Sequence, residues 1–151
     1  LCDEGYGDLA LRILFNRDHV SFGTMMDGGA TSLFECLETE CVGRPRERGT
    51  ASLNHPMHAG FAYFLYRCVA GIRPLTPGFG EFEIRPDHFD GIPSADVTYE
   101  TPYGTVAVSF VRRGRETVYS FRVPVNTTCR FRAGGRSEVY GSGSYTVTVT
   151  E

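Results

Sequence analysis

The chain has no tryptophan and no lysine, so all 15 of its basic residues are arginines, set against 18 acidic ones for a formal net charge of -3. Nucleic acid or an anionic membrane surface would call for a broad positive field, and this balance excludes both as partners. No run approaches the roughly 18 apolar residues of a membrane span. The opening, Leu-Cys-Asp-Glu-Gly, lacks both a methionine and the basic stretch of a signal peptide, so it reads as an excerpt from something longer. The compartment, cytoplasmic or periplasmic, is left open.

What is present is an ordinary globular composition, 41% hydrophobic and 22% charged over 151 residues, enough for one domain or two small ones. Five cysteines, Cys2, Cys36, Cys41, Cys68 and Cys129, form an odd and scattered set, unlike a disulfide framework. They read as free thiols. Cys36 and Cys41, followed by His55 and His58, come close to a two-cysteine, two-histidine zinc pattern. The histidine spacing is one residue short and Cys36 falls in an expected helix, so no metal is assigned.

Two textures divide the chain near Gly78. Before it the apolar period is helical: Leu9, Ile13 and Leu14 share one stripe, and Met57, Phe61, Phe64, Leu65, Cys68, Val69 and Ile72 share another. The second stripe demands burial against neighbours, and at most three helices are available here, too few to close a bundle. Helices are missing upstream. After Gly78 the period becomes two, in EFEIRP, ADVTYE, TVAVSFV, TVYSFRV, CRFRA and SYTVTVT, separated by Gly-rich punctuation at hairpin distances. This pattern predicts an antiparallel β-sandwich, with Val106, Val108 and Phe110 on one face of their strand. The linking GIRPLTPGFGEF reads as a tight, ordered crossover.

One short stretch raises a question of chemistry. In Thr31-Ser32-Leu33-Phe34-Glu35, a hydroxyl stands three residues before a carboxylate. That spacing is a capping box, in which Glu35 would reach back to the Ser32 amide. It could equally hold a catalytic base. Four tyrosines, Tyr99, Tyr103, Tyr119 and Tyr140, offer an alternative in which a carbohydrate-binding or purely structural β-sandwich works without catalysis, stacking sugar rings on aromatic faces. Arginines in GRPRERG are interrupted by Glu47 and read as a solvated loop, and His19, His58 and His88 as structural or surface residues.

The pieces GYGDLALRILFNRDHVSFGTMMDGGATSLFE, SLNH, LYRCVAGIRP, PGFGEFEIRP, YETPYGTV, VPVNTTCRF and GSGSYTV, in this order, resemble the carboxy-terminal part of bacterial α-L-rhamnosidases of glycoside hydrolase family 78. The resemblance implies the last helices of an (α/α)6 barrel over residues 1–77, followed by a terminal β-sandwich over 78–151, with the rest of the barrel upstream in the same polypeptide. It implies an inverting hydrolase of terminal α-L-rhamnosides that needs no cofactor. Glu35 matches the family's catalytic base and His55, in Ser-Leu-Asn-His, its pocket histidine. Where the family carries tryptophans as apolar walls for the sugar, this chain has Phe22, Phe34 and Leu37. The general acid lies upstream, so the chain alone is expected to be inactive. Its orphaned apolar face is expected to favour self-association.

Overall fold

The fold is described from a computed structural model, for residues 1–35 and 52–150. By contact density the chain divides into two compact units, Leu1–Ala62 and Tyr63–Glu151.

The first unit holds two short helices. Helix α1 (Gly7–Leu14) buries Gly7 and Ala10, while Leu9 and Ile13 of the expected stripe are exposed. On α1 the small residues, not the large ones, make the covered face. Helix α2 (Phe22–Asp27) starts at a reciprocal capping box between Ser21 and Thr24. Thr24 N–H donates to the Ser21 hydroxyl at 3.2 Å, and Ser21 N–H donates to the Thr24 hydroxyl at 2.9 Å, which satisfies two otherwise orphaned amides. Gly23 is required here, because a Cβ would stand 2.8 Å from the carbonyl oxygens of Phe15 and Asn16.

The expected helix from Met57 to Ile72 is broken. Pro56–His58 is a single 3-10 turn, α3 spans only Phe61–Phe64, and a π-helical turn carries the chain over Leu65–Val69. Proline at the first position nucleates the 3-10 turn outside α3, and Met57 is exposed instead of joining the stripe. Helical structure stops at Gly71, whose φ of +75° lies in the left-handed region. Its added Cβ would meet the Pro86 nitrogen at 2.1 Å. Only glycine fits both constraints, so Ile72 enters a strand.

The second unit contains two four-stranded sheets. One has the order β1 (Ile72–Pro74), β2 (Glu81–Ile84), β6 (Thr128–Ala133) and β7 (Arg136–Tyr140); the other has β3 (Ser94–Thr101), β4 (Gly104–Arg113), β5 (Glu116–Val123) and β8 (Gly143–Thr150). The second sheet is antiparallel throughout. In the first, β2 and β6 run parallel, with Phe82 opposite Cys129 and Ile84 opposite Phe131. Parallel neighbours need a long crossover, and here strands β3 to β5 supply it. The all-antiparallel expectation is thereby refined to a mixed first sheet.

Alternation places the core as read: Val106, Val108 and Phe110 are buried, as are Phe82, Ile84, Tyr119, Phe121, Cys129 and Phe131. Phe121 of one sheet stacks on Phe131 of the other at 5.1 Å with 7° between planes, and Tyr119 meets Phe131 edge-on at 5.3 Å. Such pairs lock the two layers together beyond simple area burial. Tyr119 is thus core, not a glycan platform, and Tyr140 packs edge-on against Phe121. Tyr99 and Tyr103 are surface residues.

Two buried charges sit on the other side of the first sheet. Arg73 reaches Asp87 at 3.3 Å and donates to the Arg67 carbonyl, while Glu83 faces Arg132 at 3.4 Å. Each pair sets one buried charge against a more exposed partner, and Arg85 adds a second cation 3.9 Å from Glu83. Nearby, Arg112 donates to the Phe89 carbonyl at 2.7 Å, tying the 87–89 loop to β4.

Cys2 and Cys129 are free thiols. Burial pushes the Cys129 thiol up to about 12, so almost none is thiolate at neutral pH. Alkylation at pH 8, followed by mass spectrometry, is expected to leave Cys129 unmodified in the folded protein and to label it after unfolding in urea. Phe131→Ala is expected to cost about 3–5 kcal/mol of stability and Val139→Ala, on the exposed edge strand, less than about 0.5 kcal/mol, by denaturant unfolding.

Candidate active site

The site candidates meet where two non-helical segments of the first unit exchange hydrogen bonds. Glu35 N–H donates to the Ser52 carbonyl at 2.8 Å and His55 N–H donates to the Leu33 carbonyl at 2.7 Å. The Ser32 hydroxyl adds a bond to the Leu53 carbonyl. These exchanges bring the Thr-Ser-Leu-Phe-Glu and Ser-Leu-Asn-His stretches together from opposite ends of a 16-residue separation.

Glu35 is the centre of this arrangement. Its Oε2 accepts from Ser52 N–H at 2.8 Å, and His55 Nδ1 lies 3.7 Å from the same oxygen. Its backbone carbonyl accepts from His58 Nε2 at 2.8 Å. The N–H, the carbonyl and one carboxylate oxygen are therefore all engaged. Among the described residues, Oε1 accepts no hydrogen bond, and the side chain is 42% exposed. A carboxylate gripped by one oxygen and open at the other can take a proton from water without turning.

No capping box links Ser32 and Glu35 among the described residues, because the carboxylate is committed to Ser52 and the serine hydroxyl to Leu53. The chain at 31–35 is not helical. The box of the first unit lies instead at Ser21 and Thr24.

The remaining candidates are placed differently. Phe34 is buried, 5% exposed. Phe22 is half-buried, with its ring 4.5 Å from Phe61 and edge-on to His58 at 6.1 Å. Leu37, Cys36, Cys41, Glu38, Glu40 and the 44–49 arginine run lie outside the described residues. His58, read from sequence as structural or surface, touches Glu35 itself. His88 pairs with Asp90 at 3.2 Å on the surface, and His19 is exposed.

Two family models match the chain in succession: the bacterial alpha-L-rhamnosidase 6 hairpin glycosidase domain over residues 1–69, and the bacterial alpha-L-rhamnosidase C-terminal domain over residues 71–144. The chain belongs to the bacterial α-L-rhamnosidase family and corresponds to its C-terminal region.

An alpha-L-rhamnosidase of Formosa agariphila is 32% identical over 130 residues, covering 84% of this chain and 13% of that protein. One from Streptomyces avermitilis is 30% identical over 129 residues, covering 85% and 12%. The crystal structure of a Streptomyces avermitilis alpha-L-rhamnosidase complexed with L-rhamnose superposes with a TM-score of 0.86 at 28% identity, over 99% of this chain and 17% of that one. The native Aspergillus terreus enzyme gives a TM-score of 0.87 at 21% identity, over 99% and 18%, a likeness of fold. The chain thus spans a small closing part of the relatives it matches.

Proposed function

We propose that this chain closes the catalytic barrel of an inverting α-L-rhamnosidase and supplies its general base, Glu35. The observation that carries the reading is the half-engaged carboxylate: Oε2 is held by Ser52, Oε1 accepts no hydrogen bond among the described residues, and the glutamate lies within the span that matches the six-hairpin domain. Inversion needs a base on the face of the sugar opposite the leaving group, with the acid roughly 6.5–9.5 Å away so that water fits between. Oε1 takes the water's proton as its oxygen attacks the anomeric carbon. The partner acid, outside this chain, protonates the departing glycosidic oxygen.

His55 completes the base. Its Nδ1 faces Oε2, where a proton on the ring steadies the carboxylate or reaches a sugar hydroxyl. Both groups are substantially exposed, so the pair acts by orientation more than by stabilising the fold. Phe22 presents an aromatic edge at the place of a family tryptophan, and buried Phe34 backs the loop that carries Glu35. We assign residues 1–77 to the end of the barrel and its run into the sandwich, and residues 78–151 to the sandwich. The substrate in the intact protein is a rhamnose-containing glycoside. An apolar helix face left without its barrel partners favours pairing of the excised chain with a second copy of itself.

Glu35→Gln, made in the longest reading frame that contains this chain, is expected to lower hydrolysis of a nitrophenyl α-L-rhamnoside by about 10²–10⁴-fold, the usual worth of acid–base assistance, with an unchanged circular dichroism spectrum. Unchanged turnover would reduce Glu35 to a structural residue. The 151-residue chain by itself is expected to release no nitrophenol above a heat-killed control, since one carboxylate cannot run an inverting hydrolysis.

A further inference from the structure

We propose that His58 is a positioning residue that aims the Glu35 carboxylate by gripping its peptide carbonyl. The inference rests on the reading of Glu35 as the base. It adds a residue that neither the resemblance nor the comparisons assign.

The acceptor fixes the chemistry of the contact. A carbonyl oxygen can only accept, so the His58 Nε2 at 2.8 Å must carry a hydrogen. The neutral Nε2–H tautomer and the imidazolium both meet this requirement. The contact is that of a donor holding a carbonyl in place, as a positioning contact should be.

The ring itself is anchored. Its edge meets Phe22 at 84° between planes, and Phe22 rests on Phe61 at 4.5 Å. Phe22 is the first residue of α2, whose start is fixed by the Ser21–Thr24 box. A short relay thus runs from a capped helix through two rings to the backbone of Glu35. Without the Nε2 donor, the Glu35 carbonyl loses its contact and, among the described residues, the Glu35 backbone keeps only its N–H bond to Ser52, so the peptide after Glu35 is freer to turn. Rotation swings the carboxylate, and a displacement near 1 Å can cost about 10²-fold in rate.

The test compares three variants in the full-length polypeptide containing this chain. His58→Phe keeps a ring against Phe22 and removes the donor; His58→Gln keeps a donor close to the Nε2 position; Glu35→Gln reports on the base. The expected result is a kcat about tenfold lower for His58→Phe with KM within about twofold, recovery to within about threefold of wild type for His58→Gln, and a pH–kcat profile of unchanged shape in His58→Gln. Equal activity of His58→Phe and wild type overturns the proposal, as does equal loss in both His58 variants. A missing limb in the His58→Gln profile also overturns it, because His58 would then exchange protons itself. Should His58→Phe lower the thermal midpoint, His58→Asn, polar but too short to reach the carbonyl, makes the same comparison. Full activity of Glu35→Gln with loss in His58→Phe would sink the base assignment separately from the role of His58.

Discussion

The site depends on the exchange of hydrogen bonds between residues 33–35 and 52–55. Neither segment is helical, and each satisfies the other: Leu33 and Ser52 carbonyls accept, His55 and Glu35 amides donate. Buried or half-buried backbone groups require such partners. Because the Ser52 amide is spent on the carboxylate, the same pairing that closes the backbone also orients the side chain. Structure and chemistry are not separable at Glu35. A substitution that loosens the clamp anywhere moves the Glu35 carboxylate.

The β-sandwich contributes through a different kind of force. Its layers are held by ring contacts among Phe110, Tyr119, Phe121 and Phe131, and its first sheet carries the Arg73–Asp87 and Glu83–Arg132 pairs, in which Arg73 and Glu83 are buried. Apolar contact supplies cohesion, and paired charges penalise wrong registers, since a slipped strand would leave a charge unpartnered. Gly71 sets where helical structure gives way to β1, through a backbone approach no side chain permits.

Much of this was legible in the sequence, and the gaps have physical causes. Six strands with period-two alternation stand out because one face is core. Strand β7, Arg-Ser-Glu-Val-Tyr, passes unseen because it is an edge with exposed side chains throughout its first four positions and so carries no alternation. Strand β1 is three residues long and hides in an apolar run that reads as helix. The helical stripe predicted from Met57 fails at its start because Pro56 confines the first turn, and at its end because of Gly71. At the site, Glu35 and His55 were found through motifs, since the 16 residues between Glu35 and Ser52 leave no spacing signal. His58 was passed over because its role is a contact to a backbone oxygen, which side-chain patterns do not encode. The one available clue was its place three residues after His55, on the same short turn.

Chemical rescue of Glu35→Ala in the full-length polypeptide tests the base assignment most directly. Azide is a small nucleophile that needs no deprotonation; it can enter the space the carboxylate vacates, form the bond to the anomeric carbon, and expel the aglycone with the proton given by the acid. The account predicts turnover restored by azide, with a rhamnosyl azide of anomeric configuration opposite to that of the substrate. Wild-type-like hydrolysis by Glu35→Ala without azide, or an azide product of retained configuration, would contradict it.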